Sequence, residues 1–331
     1  MANHERALEP ALRGEVDLVV HGGDVFDRSR VAPSLVHQAF ASLRKVADGG
    51  VPVFVVPGNH ERSRIPHRRF AVHPSIHVFD RPRTIGVDVR GMRVAMPGFP
   101  NVRRDVRDRF RALVDDTGIV DTPGDIRLLC IHHSVEGATV GPNDFTFRSG
   151  ADVIRGRDIP SGVAAVFSGH IHRHQVLTRD LAGAGLAAPV FYPGSVERTS
   201  LAEMDEEKGY LILTVRPGPD GGEVDAWHFE RLPARPMIVH DVRPGEFEAP
   251  GQIDAWLEAT LRSVPADAVL RIRVRGEFPT DLHVRLGAER VRGVAPATMN
   301  VEVVFSDEEG KRIQPGKSGE RAAGVQTALS L

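Results

Sequence analysis

The 331-residue chain reads as an α/β protein, a layered β-sandwich flanked by helices and followed by a small α+β domain. Three observations predict this. From residue 16 to about 215, short β-rich apolar runs alternate with helix-length amphipathic stretches. Loops rich in Gly or Pro close the apolar runs, as at Gly22-Gly23 and Pro57-Gly58. After Tyr210 the texture changes to a hairpin, a proline-flanked linker and a shorter second set of elements. Composition sets the outer bounds. With 41% hydrophobic and 26% charged residues and a net charge of -2, the chain is no disordered tail and carries no global field for nucleic acid. Cys130 is the one cysteine, which excludes a disulfide framework and fits a reducing cytosol. No apolar run approaches the ~20 residues that cross a bilayer.

In order along the chain, residues 1–15 read as a helix and residues 16–21 as a buried strand ending in the Gly-Gly loop. Residues 33–47 form a helix with Leu35, Ala39, Leu43 and Val46 on one stripe. Residues 51–56 are a second buried strand. Residues 101–114 form a helix that buries Val102, Val106, Phe110 and Leu113. Its arginines alternate with Asp105, Asp108, Asp115 and Asp116, a solvated charged face. Residues 126–131 and 163–167 are again β-rich and apolar. Residues 211–215 and 224–229 make a hairpin around a Pro/Gly-rich turn, completing a first domain over 1–232. Residues 233–236 read as the linker into a second domain over 233–305, patterned strand-helix-strand-strand. Its helix runs over about 252–262, and residues 269–274 and 300–305 alternate as strands. The polar, Gly-rich residues 306–331 are expected to be a flexible tail.

Four segments just past apolar runs carry the chemistry, where α/β sheets place their ligand-binding loops. They are Gly23-Asp24-Val25-Phe26-Asp27, Gly58-Asn59-His60-Glu61, His132-His133 and Gly169-His170-Ile171-His172. Carboxylate, amide oxygen and imidazole together suit Mn²⁺, Fe or Zn²⁺ and serve Ca²⁺ or Cu(I) poorly. In Gly-His-x-His both imidazoles fall on one side of an extended segment, because side chains alternate with period two. Each motif alone is more often a turn or an ordinary histidine; the ordered set at four strand ends is what points to a metal centre. Strand alternation turns only one of His132 and His133 toward such a centre. His174 shares the face of His170 and His172, whereas His21, His73, His77 and His240 read as ordinary surface or core histidines. Cys130 lies inside an apolar strand and reads as a small buried hydrophobe. The stretch after Glu61, with Arg62, Arg64, His67, Arg68 and Arg69, reads either as a phosphate grip or as a solvated basic loop. Gly194-Ser195 either lines a substrate groove or makes a tight structural turn.

In this order the motifs resemble those of the calcineurin-like metallophosphoesterases. The block Pro193-Gly194-Ser195-Val196-Glu197-Arg198-Thr199-Ser200, with Glu206-Glu207-Lys208-Gly209 after it, resembles the SbcD-type DNA repair exonuclease branch. The likeness spans roughly residues 16–230. It implies a metallophosphoesterase-type sandwich, with the small α+β domain in the place of a DNA-capping domain. It further implies two divalent metal ions, Mn²⁺ foremost and Fe or Zn²⁺ as alternatives, bridged by Asp24. Asn59, His132 and His170 would complete one ion and His172 would bind the other. His132 is chosen over His133 because it ends its apolar run as the family's ligand does. His60 would face the scissile phosphate, stabilising the transition state or protonating the leaving oxygen, with Glu61 orienting it. Arg62, Arg64 and Ser195 would bind substrate. The implied reaction is hydrolysis of phosphodiesters at DNA ends by metal-activated water, in a cytoplasmic homodimer with an SMC-like ATPase subunit and no membrane association.

The family's first motif, Asp-x-His on a first strand, does not occur among the 23 residues that precede Asp24. A start at an internal Met is therefore expected, the alternative being a metal-deficient relative. The short stretch after Phe305 weakens the expectation of an ATPase-docking segment. Two other functions fit the same motifs, a small-molecule phosphodiesterase or phosphatase and a catalytically impaired DNA-binding subunit.

Overall fold

The computed structural model describes residues 2–26, 30–60, 72–243, 247, 249–276 and 284–306. The chain divides into two compact units, Met1–Ala234 and Arg235–Leu331.

The first unit is built on two sheets. Helix α1 (Ala2–Leu12) precedes β1 (Val19–His21), and helix α2 (Pro33–Asp48) leads to β2 (Val53–Val55) and β3 (Ile76–Val78). These strands form a three-stranded parallel sheet in the order β1-β2-β3. The second sheet takes β4 (Arg83–Val89), β5 (Met92–Gly98), β6 (Ile126–Ile131), β7 (Ala165–Ser168), β8 (Gln175–Arg179) and β9 (Gly185–Tyr192), with helix α3 (Val106–Asp115) between β5 and β6. Its order is β8-β9-β7-β6-β5-β4, parallel at the centre and antiparallel at both edges. A hairpin of β10 (Lys208–Arg216) and β11 (Glu223–Leu232) closes the unit.

The period of two along each strand sorts the core into layers. Val53 and Val55 of β2 join Leu43, Val46 and Phe40 of α2 in one cluster. Phe54 and Val56 point the other way, into a cluster shared with Ile126, Leu128 and Cys130 of β6. Leu129 and Ile131 face a third cluster with Phe110 and Leu113 of α3. The layering is therefore helix, sheet, sheet, helix, and both faces of the central strands are dry. Pro33 in the first turn of α2 presets helical φ, and Val36, Ala39, Phe40, Leu43, Val46 and Ala47 bury one stripe.

Three local expectations fail. Leu35 is exposed, because the buried stripe of α2 begins one residue later at Val36. Helix α3 starts at Val106, so Val102 packs on the core from the loop before it. The strand β1 is only half-buried and three residues long.

The second unit has β12 (Met237–Val242), helix α4 (Pro250–Ser263), β13 (Val269–Arg275), helix α5 (Ala288–Val294) and β14 (Asn300–Ser306). The strands pair in parallel in the order β12-β13-β14. Parallel neighbours need a crossover, which α5 belongs to and which the strand-helix-strand-strand reading lacks. Leu270, Ile272 and Val274 point into the core with Ile253 and Leu257 of α4. Arg271 and Arg273 alternate outward and pair with Glu302 and Asp241. The expected tail lies outside the described residues from 307 on. Among the described residues no helix is long and apolar enough to cross a membrane.

Candidate metal centre

The four sequence motifs meet where the two sheets face each other. Asp24 follows β1 and Asn59 and His60 follow β2, on one sheet; His132 follows β6 and His170 follows β7, on the other. Alternation along β6 decides between the two adjacent histidines. Leu128 and Cys130 face the space between the sheets, so His132, two residues on, does the same. His133 turns to the opposite layer, against Phe99, where its Nε2 accepts the Val102 N–H at 2.9 Å. Burial holds His133 far down, to about 3, so it is a neutral structural group. Tyr192 and Ser168 anchor the same turn, both donating to the His133 carbonyl, at 3.0 and 2.7 Å.

His132 is fully buried, and its Nδ1–H donates to the Gly22 carbonyl at 2.6 Å. That bond fixes Nε2 as the nitrogen facing the centre. Nε2 lies 3.1 Å from Asp24 Oδ2 and 3.2 Å from Asn59 Oδ1. The same Asn59 oxygen lies 2.9 Å from His170 Nδ1. Ligand atoms of Asp24, His132 and His170 all fall within 4.8 Å of one another. A lone pair and two oxygens aimed at one point repel unless a positive centre sits among them, a proton on Nε2 or a cation. With ligand bonds of ~2.0–2.2 Å, neighbouring ligands of a first-row divalent ion stand about 3 Å apart. The observed spacings match that value, so the residues present fit a divalent metal.

Two features make the convergence possible. Asp24 and His170 both hold left-handed backbone, φ 48° and 76°, a conformation that costs about 1–3 kcal/mol and gathers at functional positions. The turn at His170 also means that Gly-His-x-His is not one extended segment, so the period-two argument for its two imidazoles fails. Gly58 and Gly169 supply close approach. A Cβ on Gly58 would overlap the Asp24 carboxylate, and one on Gly169 would overlap the Gly22 carbonyl beside His132. Burial alone would raise the Asp24 carboxyl, but His132 and the His60 backbone N–H, which donates to Oδ1 at 2.9 Å, outweigh it and hold the group below its ordinary value.

His60 and His172 are not among the side chains whose ligand atoms gather within 4.8 Å of one another. The His60 imidazole is half-exposed, with Nε2 3.8 Å from Asp24 Oδ2. His172 Nδ1 donates to Glu203 Oε1 at 3.1 Å. Glu203 is buried in a short 3₁₀ turn, Leu201–Glu203, and it was invisible in the sequence because 31 residues separate it from His172. Burial raises its carboxyl, yet His172 and Lys208 outweigh that and hold it at about 2. Ser195 donates its hydroxyl to the Glu197 carbonyl at 2.7 Å within its own turn. His174 is stacked on Phe229 with Nδ1 donating to the Tyr192 carbonyl, a packing role and not a place beside the cluster. Cys130 is fully buried and its thiol is pushed up, so it is no nucleophile. Asp27, Glu61, Arg62, Arg64, His67, Arg68 and Arg69 lie outside the described residues. Of the arginines of α3, Arg107 pairs with Glu136 and Arg111 with Asp158.

Asp24, His132 and His170 gather at the facing strand ends of a layered sandwich, as a group that could hold a divalent metal. The calcineurin-like phosphoesterase family model matches residues 2–174, more than half of the chain, and the chain belongs to that family. It is similar to a DNA double-strand break repair protein Mre11 of Haloferax volcanii, 44% identical over 291 residues, covering 83% of this chain and 56% of that protein. It is similar also to the Mre11 of Aeropyrum pernix, 24% identical over 254 residues, covering 73% of this chain and 57% of the relative. A subunit of the nuclease SbcCD of Bacillus subtilis is 25% identical over 311 residues, covering 82% of this chain and 75% of the relative. The chain spans about half the length of several of the curated relatives that it matches.

Proposed function

We propose that the chain is the nuclease subunit of an SbcD-like DNA repair complex. It would hydrolyse phosphodiesters at DNA ends with Mn²⁺, in the cytoplasm, as a homodimer bound to an SMC-like ATPase subunit. The observation that carries the hydrolase reading is His132 Nε2, Asp24 Oδ2 and Asn59 Oδ1 aimed at one point with spacings of 3.1–3.2 Å. The names of the relatives, a DNA double-strand break repair protein and a nuclease subunit, support the substrate.

Asp24, Asn59, His132 and His170 would hold one divalent ion, and His172 with Asp24 a second. When bound, the ions supply Lewis-acid polarisation of the phosphate and a water of lowered pKa. The remaining work falls to the protein. The Gly22 carbonyl keeps His132 in the tautomer that exposes Nε2. His60, tied to Asp24 through its backbone N–H, keeps its imidazole free to give a proton to the departing oxygen as the phosphorus–oxygen bond breaks. Glu61 would orient that imidazole. Arg62 and Arg64 would grip the flanking phosphates, and the Ser195 turn would shape the groove.

The test is Mn²⁺-dependent hydrolysis of linear duplex DNA by the full chain, beside an aryl phosphodiester, with Asp24→Ala as control. Turnover of DNA lost by about 10³-fold in Asp24→Ala is expected. Turnover of the aryl ester alone, or DNA cleavage that survives the substitution, overturns the DNA nuclease reading.

A further inference from the structure

The corner that holds His172 contains a buried ion pair that the chemistry above does not use. Lys208 is fully buried, and its Nζ donates to Glu203 Oε2 at 2.7 Å, to Glu206 Oε2 at 3.2 Å and to the His172 carbonyl at 3.1 Å. Glu203 in turn takes four further bonds. Its Oε1 accepts from His172 Nδ1 at 3.1 Å, Thr199 Oγ1 at 2.8 Å and Ser200 Oγ at 3.3 Å, and its Oε2 accepts the Thr199 N–H at 3.4 Å. The Ser195 N–H also donates to the His172 carbonyl, at 3.1 Å. His172 is therefore held at its carbonyl and at its ring alike.

Burying an ion pair rarely adds stability over apolar residues of the same volume, so the pair calls for another reason. The partners supply one. A carboxylate that already has a lysine on Oε2 keeps its charge, and Oε1 then faces Nδ1 of a half-exposed imidazole. The Nδ1 proton is drawn to Glu203, and the Nε2 lone pair is left as the open ring atom. This is the arrangement by which carboxylates set the tautomer and orientation of ligating histidines.

We propose that Glu203, locked in place by Lys208, is a positioning residue that fixes His172 in its Nδ1–H tautomer and presents Nε2 as a ligand atom. The ligand role of His172 rests on the function proposed above, whereas the tautomer assignment does not. Thr199 and Ser200 are part of the same device, since their hydroxyls occupy the remaining faces of Oε1 and block Glu203 from swinging away.

The experiment uses the full chain with ¹⁵N-labelled histidine and two double variants that keep the buried site neutral. Glu203→Leu with Lys208→Met removes the whole ion pair by apolar residues of similar size. Glu203→Gln with Lys208→Met keeps an acceptor for Nδ1. In the metal-free native protein the His172 ring is expected to carry its proton on Nδ1. The Leu/Met variant is expected to shift it to Nε2, and the Gln/Met variant to restore Nδ1–H. With Mn²⁺, phosphodiesterase activity should fall about 10–100-fold in the Leu/Met variant and recover in part in the Gln/Met variant. A native His172 protonated on Nε2, or a Leu/Met variant that keeps Nδ1–H, overturns the proposal. If the native chain cleaves no phosphodiester at all, the function reading fails while the tautomer measurement still decides this one. A purely structural role for the pair would lower stability in both variants equally and leave the ring proton where it was.

Discussion

Asp24 and Glu203 are equally buried, each side chain 10% exposed, yet their surroundings differ in one respect. Glu203 meets a built-in cation, Lys208, and its oxygens are saturated by donors. Asp24 meets an imidazole nitrogen and, beside it, a second acceptor, Asn59 Oδ1, with the His60 N–H as its settled donor. One corner is closed around its own charge; the other, on the function proposed above, would be completed by a cation. The difference separates scaffold from site more sharply than burial or exposure does.

That contrast can be broken most directly at Asp24. Asp24→Asn keeps the shape and tolerates the left-handed backbone, but removes the charge that calls for a cation. Saturating Mn²⁺, at about 100 times its dissociation constant, should stabilise the native chain by about 2.7 kcal/mol and raise its melting temperature. The Asn variant should show no such rise in the same melting experiment. An equal Mn²⁺ response in both proteins would erase the distinction between the two corners.

Asn101 sharpens the comparison from the side. Its Nδ2 donates to the His132 carbonyl at 2.8 Å while its N–H donates to the Pro57 carbonyl at 2.9 Å, so it links the two strand ends that carry His132 and Asn59. Asn101→Ala should cost about 1 kcal/mol in urea unfolding and weaken the Mn²⁺ response of melting. A stability loss with unchanged Mn²⁺ response would make Asn101 a bystander.

A further test is in acid. Glu203 holds its proton off until about 2, against 4.5 for an unperturbed glutamate. Its depressed value contributes stability in full above pH 4.5, and that contribution is lost as pH falls toward 2. The urea midpoint of the native chain should therefore drop more between about pH 5 and pH 3 than that of the Glu203→Leu, Lys208→Met variant. Equal drops would mean that Glu203 is not held as described.

The layers and the strand-end ligands were legible in the sequence because both depend on local pattern. Alternation through Leu128, Leu129, Cys130, Ile131 and His132 carries from core to centre without interruption; in the sequence it left one of His132 and His133 facing the centre, and the family resemblance chose His132. The helical stripe at residues 33–47 was read one residue out of phase at Leu35, since Leu35 and Val36 are both apolar and only packing decides between them. Glu203 was out of reach for a different reason. Its partners, His172 and Lys208, belong to a loop and a strand whose meeting no period predicts. The turn at His170 was hidden as well, because a positive φ at histidine has no sequence mark. Helix α5 is short and contains Gly293, which dilutes its periodicity.

The seam between the two sheets has a kinetic meaning. His132 bonds to Gly22 across 110 residues, and His170 meets Asn59 across 111, so no local segment contains the cluster. Closing chain segments of that length costs entropy that local turns do not pay, so the cluster is expected to form after the local elements. An unfolded or half-assembled chain offers no preformed pocket to bind an ion. Metal capture would then mark the completion of folding, and a stopped-flow trace of Mn²⁺ uptake would time the docking of one sheet upon the other.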